Sequence, residues 1–167
     1  MKKGFFLAAL SALTLAGCGN NENGEKKCCG ACCEKEAALV LEHPAIDVAD
    51  PVATAAWWCE NLGFTVTMQK TDETHTTFIC DASGRVAIEM YRAKTQPVAP
   101  NYAEMDPLTL HFGFTSKDVD ADIERLVAAG ATLLSHDVNP GFDGAMLRDP
   151  SGICIQLVKR EKSVILK

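Results

Sequence analysis

The stretch Val86-Ala87-Ile88-Glu89-Met90-Tyr91 reads as a strand, and it sets an acid, Glu89, among residues that otherwise belong in a core. Strand side chains alternate, so Val86, Ile88 and Met90 share one face while Ala87, Glu89 and Tyr91 share the other. A carboxylate in such company needs a cation or a strong donor beside it, because an unpaired charge is costly to bury. Near the other end of the chain Gly-Ile-Cys-Ile-Gln-Leu-Val, Gly152 to Val158, repeats the pattern with Gln156 in the acid's place.

Working outward from these two strands, the chain beyond Leu41 can be laid over itself. His43 opens an extended run that ends at Asp50, and His111 opens one of equal length that ends at Asp118. Each Asp is placed to cap a helix. In the first helix Pro51 suits an early position, Val52, Ala55, Cys59 and Leu62 predict the apolar face, and Gly63 predicts the stop. Trp57 and Trp58 belong to this helix, one packing and the other near the surface. In the second helix Val119, Ile123, Leu126 and Val127 form the apolar stripe, Asp120, Asp122, Glu124 and Arg125 face water, and Gly130 is the stop.

Three strand-like runs follow each helix: 64–69, 74–80 and 85–91 in the first half, 132–136, 145–148 and 153–159 in the second. The last turn is Asp81-Ala82-Ser83-Gly84 in one half and Asp149-Pro150-Ser151-Gly152 in the other, matched in Asp, Ser and Gly. Residues 93–107, with Pro97, Pro100 and Pro107, connect the halves. The predicted fold is α+β: strand, helix and three strands, twice over.

Parity along these strands separates two surfaces. Ala45 and Asp47 go with His43, Ala87 and Tyr91 with Glu89, Thr109, Gly113 and Thr115 with His111, and Cys154 and Val158 with Gln156. The opposite faces carry Ile46, Val48, Ile88, Met90, Leu110, Phe112, Phe114, Ile153, Ile155 and Leu157, made to lie under helices. Small residues around two imidazoles, a carboxylate and an amide predict a cavity with converging polar groups. Such a set suits one divalent ion of the nickel, zinc, cobalt, iron or manganese group, with Gln156 offering its amide oxygen. His75 and His136 fit surface or strand-edge roles, and Tyr91 and Arg148 are candidates to line the cavity and meet an anionic or carbonyl substrate.

Composition limits the alternatives. With 167 residues, 47% of them hydrophobic, the chain suits one globular domain with some length to spare, and a net charge of -6 speaks against nucleic acid as a partner. Lys2 and Lys3 precede an apolar run from Phe5 to Leu15, too short to span a bilayer in the mature protein and typical of a secretory signal. Residues 18–40 form a polar, flexible tether containing Cys28-Cys29-Gly30-Ala31-Cys32-Cys33, whose thiols could chelate a soft metal ion or, the simpler reading, pair as disulfides outside the cytoplasm. Cys59, Cys80 and Cys154 read as small core residues. Residues 161–167 are a C-terminal tail.

Two resemblances follow from these residues. Leu15-Ala16-Gly17-Cys18 resembles the lipobox of bacterial lipoproteins, which implies removal of residues 1–17, a lipid on Cys18 and an envelope location facing the periplasm or exterior. Residues 41–160 resemble the vicinal oxygen chelate superfamily, the glyoxalase, bleomycin-resistance and extradiol-dioxygenase group. The matching features are His43 with Asp50, Leu62-Gly63-Phe64, Glu89, His111 with Asp118, Gly130-Ala131 and the 149–152 turn. The resemblance implies paired βαβββ modules in a cup-shaped, barrel-like mixed sheet with helices outside, and a homodimer. It also implies that His43, Glu89, His111 and Gln156 hold the metal. Gln156 stands where bacterial-type glyoxalase I has Glu, the base expected to move the substrate proton, so that work falls to Glu89 or to a bound hydroxide. The implied function is a metal-dependent lyase or isomerase of a small oxygen-rich molecule. Extradiol dioxygenases take their carboxylate from the Gln156 position, which places that chemistry behind, and the alternative is a non-catalytic binding cup of the bleomycin-resistance kind.

Overall fold

The computed structural model describes residues 39–95 and 99–164. The signal, Cys18, the thiols of the tether and the end of the tail lie outside the described residues.

The first module runs β1 (Ala45–Asp47), α1 (Pro51–Leu62), β2 (Thr65–Gln69), β3 (Thr77–Cys80) and β4 (Ala87–Tyr91); the second runs β5 (His111–Thr115), α2 (Val119–Ala128), β6 (Thr132–Asn139), β7 (Phe142–Arg148) and β8 (Cys154–Arg160). A short 3-10 helix, Tyr102–Glu104, lies in the connection between them. Each module forms its own four-stranded sheet, in the orders β1-β4-β3-β2 and β5-β8-β7-β6, with the first two strands of each order parallel and the rest antiparallel. The expected internal repeat is therefore a repeat of topology, expressed as two separate sheets rather than one closed barrel.

The helix boundaries follow their caps. Asp50 and Asp118 accept from the backbone N–H groups of Ala53 and Ala121, and Gly63 ends α1 in the left-handed region at φ +76°. The buried face of α1 differs from the predicted one. Pro51, Thr54, Ala55 and Trp58 are buried, whereas Val52 is exposed and Cys59 and Leu62 pack only partly against the core. The helix is turned to drive Trp58, the largest fully buried side chain, into the space between Phe64, Phe112 and Phe114. Val127 of α2 is likewise exposed, and Val119 and Leu126 carry that helix's burial. Of the three cysteines among the described residues, Cys154 is fully buried, and burial pushes its thiol upward in pKa.

Trp58 also joins the modules. Its Nε1 donates to Asp149 Oδ2 at 2.7 Å, and Asp149 Oδ1 accepts from the backbone N–H groups of Ser151 and Ile153. Burial raises the Asp149 carboxyl above its ordinary range, and these donors offset part of that cost. Around the same junction Trp57 Nε1 donates to Ala129 O, Arg125 to Asn61 O, and the Thr54 and Ser151 hydroxyls bond each other. Arg148 donates to the carbonyls of Tyr102, Met105 and Gly152. Its donors thus hold the connection in place, which corrects the expectation that Arg148 serves a substrate. His136 is half-buried and bonds Asp143 at 2.8 Å, tying β6 to β7.

Two predictions follow from this packing. Trp58→Phe keeps most of the apolar volume but strands a buried carboxylate oxygen, so urea denaturation should show a loss of about 1–3 kcal/mol. Gly84 and Gly152 have φ of +69° and +86°, yet a Cβ on Gly84 meets nothing within 4 Å while one on Gly152 would stand 2.7 Å from the backbone nitrogen of Ala103. Gly84→Ala should cost about 1–2 kcal/mol, the left-handed penalty alone, and Gly152→Ala clearly more in the same titration. Equal losses would contradict the close approach.

Candidate metal and ligand site

The four candidate residues lie on the faces that parity assigns them, opposite the helices. In β4 Ile88 and Met90 are buried under α1 while Ala87, Glu89 and Tyr91 are half-buried on the other side. His43 sits just before β1, whose Ala45 is the register partner of Glu89. Its Nε2 lies 3.4 Å from Glu89 Oε2, and its Nδ1 lies 2.9 Å from Glu42 Oε2. Both His43 and Glu89 are about three-quarters buried, with side-chain exposures of 26% and 24%.

The second module repeats the arrangement with an amide. His111 begins β5 and pairs with Cys154; Gly113, two residues on, pairs with Gln156. Gln156 Oε1 would lie 3.7 Å from a Cβ at position 113, so the glycine leaves the amide open above the sheet. His111 Nδ1 lies 3.2 Å from the carbonyl oxygen of Pro107.

These contacts bear on whether the residues fit a metal. In both histidines Nδ1 faces an acceptor, a carboxylate for His43 and a carbonyl for His111, so the ring proton belongs on Nδ1 and the Nε2 lone pair is free to ligate. For a neutral His43 that lone pair then faces the Glu89 carboxylate at 3.4 Å, two electron-rich atoms with no proton between them. A proton on Nε2 donated to Glu89, or a metal cation between the two, resolves this arrangement. Two ligands each about 2.1 Å from a metal and at a tetrahedral angle stand about 3.4 Å apart, which is the separation seen. His43 and Glu89 therefore fit as half of a metal site.

Within the chain the other half is not beside it. Among the described residues no three His, Cys, Asp or Glu side chains form a group that could hold a metal ion. His43 and Glu89 belong to the first sheet, and His111 and Gln156 to the second. A cavity of about 620 Å³ lies elsewhere, by the start of α1, lined by Thr54, Trp57, Tyr102 and Ser151 among others. Sequence reasoning missed Phe78, the register partner of Glu89, whose ring stands edge-on to His43 with centroids 5.1 Å apart. It also missed Asp47, which accepts from the Ala93 N–H and has its Oδ2 buried without a hydrogen-bond partner. Parity had already put Asp47 on the His43 face. Tyr102 donates to the Asp47 carbonyl, and its phenol is raised in pKa by burial, then by the nearby Asp47 and Tyr91.

Comparison with known proteins places this geometry. The sequence pattern of the glyoxalase-like domain matches residues 43–158, across both modules. No curated protein matches the chain in sequence. Among solved structures, a glyoxalase family protein of Bacillus cereus is 19% identical with a TM-score of 0.64, over 76% of this chain and 97% of that one. An antibiotic-binding protein of Streptomyces sp. CB03234 is 20% identical with a TM-score of 0.57, over 75% of this chain and 99% of that one. A member of the glyoxalase/bleomycin resistance protein/dioxygenase superfamily from Sphaerobacter thermophilus is 16% identical with a TM-score of 0.57, over 72% and 97%. At these identities the structures establish the fold, and the match across residues 43–158 supplies the family: this chain belongs to the glyoxalase-like domain family of the vicinal oxygen chelate superfamily.

Proposed function

We propose that this chain is a lipid-anchored envelope protein whose glyoxalase-like domain binds one divalent metal ion through His43, Glu89, His111 and Gln156. Its reaction is that of a lyase or isomerase on a small oxygen-rich molecule. The observation that carries the metal is the 3.4 Å approach of His43 Nε2 to Glu89 Oε2, with each histidine's Nδ1 held by an outer acceptor. A bound ion of this class supplies Lewis acidity, polarising an oxygen that chelates it. Glu89 is the group able to take a proton, through the carboxylate oxygen that does not ligate, because Gln156 is an amide and cannot. Cys18 carries the lipid that tethers the domain to the membrane surface.

A homodimer completes the site in this reading. Since His111 and Gln156 are not grouped with His43 and Glu89 in one chain, a second copy brings its second sheet to the first sheet of its partner. The outer strands support such an association. In β2 every residue is exposed, including Val66 and Met68, and in β6 Leu133, Leu134 and Val138 are exposed. Exposed apolar edge strands of this kind are ready to be covered.

A second reading is favoured by the neutral Gln156 and by the fold shared with an antibiotic-binding protein: a cup that binds its ligand without turning it over. Elemental analysis of the purified full chain decides between them at the first step. Near-stoichiometric nickel, zinc, cobalt, iron or manganese should be found, and should be lost in both His43→Ala and His111→Ala. No metal after soaking in each ion would leave the binding reading. Mixing the two variants under conditions that exchange subunits should restore up to one site per mixed dimer, because one of its two sites then keeps both histidines. An intrachain site would restore none.

Gln156→Glu adds a negative ligand. It should tighten metal binding roughly tenfold or more and raise isomerase activity on hemithioacetals above that of the native chain, as read by competition with a chromophoric chelator and by a product assay.

A further inference from the structure

The cavity of about 620 Å³ beside α1 has no part in the proposed metal chemistry, since none of the four ligands lines it. Its walls come from three places in the chain: Ala53, Thr54 and Trp57 of α1, Pro100 and Tyr102 of the connection, and Ser151 of the turn before β8. A space of this size suits a small organic molecule.

The lining narrows the choice of molecule. Trp57 and Tyr102 have already given their polar hydrogens to the carbonyls of Ala129 and Asp47, so what they present is chiefly carbon and π surface. Val48, Pro100 and Pro150 add aliphatic wall. Thr54 is 2% exposed and lies deep, and its hydroxyl bonds that of Ser151 at 2.7 Å. That bond uses one hydroxyl hydrogen and leaves lone pairs on both oxygens for a donor.

Charge decides the rest. Among the described lining residues Asp50 alone is charged. Its Oδ1 accepts from the Ala53 N–H, and none of the ion pairs among the described residues involves it. The Arg92 guanidinium donates to the neighbouring carbonyl of Ala49, but Arg92 does not line the cavity. The positive end of α1 amounts to roughly half an elementary charge, so a full carboxylate at the cap leaves this wall negative.

From this lining we infer that the cavity is a second ligand site, separate from the metal, for a small organic cation carrying an apolar ring. The ammonium group is drawn by the Asp50 carboxylate and by the π surface of Trp57, and the ring covers the aliphatic wall. Because the walls belong to both modules and to the connection, an occupant bridges them and stabilises the fold by mass action.

The test is a calorimetric titration of the full chain with benzylamine, a cation at neutral pH, and with benzyl alcohol and benzoate, which share its ring and differ in charge. The native chain should bind benzylamine at least roughly fivefold more tightly than benzyl alcohol, with benzoate the weakest. Asp50→Asn keeps a good helix cap and removes the charge, so it should bring benzylamine and benzyl alcohol to within about twofold of each other. Ala53→Leu, at an exposed helical position that leucine suits, should fill the space and abolish measurable binding of all three. His43→Ala should leave each affinity within about twofold of the native value. No binding of benzylamine at millimolar concentration overturns the assignment, as do a preference for benzoate, a cation preference that survives Asp50→Asn, and binding that survives Ala53→Leu. Loss of binding in His43→Ala overturns it as well, by giving the ligand to the sheet face. If Asp50→Asn fails to fold, the order of the three ligands on the native chain and the Ala53→Leu result still decide.

Discussion

The indole of Trp58 is the contact on which the arrangement of the two modules depends. It is fully buried, touches Phe64 of its own module and Phe112 and Phe114 of the other, and gives its only polar hydrogen to Asp149. That hydrogen bond is tied to the 149–152 turn through the backbone donors of Ser151 and Ile153. A ring and a carboxylate thus set the angle at which α1 enters the core and the position from which β8 begins. Arg148 continues the lock on the other side, holding Tyr102, Met105 and Gly152 by their carbonyls. Burying the apolar sheet faces in this way leaves the opposite faces to chemistry.

Those opposite faces are built alike and furnished differently. Each places a histidine at the start of its first strand, with Nδ1 turned to an outer acceptor and Nε2 turned away from it. Each then presents an oxygen from its last strand, a charged one at Glu89 and a neutral one at Gln156. The difference matters because a carboxylate both neutralises a cation and accepts a proton, whereas an amide only donates a lone pair. An ancestral symmetry of two equal halves would explain the matched turns and caps. The oxygens of the two halves are unequal, and Phe78 against Met146 at the neighbouring position extends the inequality to apolar contacts.

Much of this was legible in the residues alone. The alternation in 86–91 and 152–158 identified both last strands and the faces of Glu89 and Gln156, because period-two patterning is local and a half-buried strand must obey it. Asp50 and Asp118 marked both helix starts, since a capping side chain bonds a backbone group only three residues ahead. The same reading misplaced the buried side of α1 and sent Arg148 to a substrate. Both errors have one source: the face of α1 is set by Trp58 against Phe112, Phe114 and Asp149, and Arg148 is drawn to Tyr102 and Met105, partners far away in sequence that no local period records.

What the sequence by itself determined, then, is the repeat, the caps and the strand faces on which Glu89 and Gln156 lie, all of which depend on residues a few positions apart. The tertiary structure alone decided how the two halves face. Whether His43 and Glu89 meet His111 and Gln156 depends on which surfaces of the two sheets are apolar enough to be pressed together, and Trp58 with Phe112 and Phe114 settles that on the helix side. The four residues are matched by sequence but separated into two sheets, because packing is governed by the large buried rings rather than by the few polar groups opposite them.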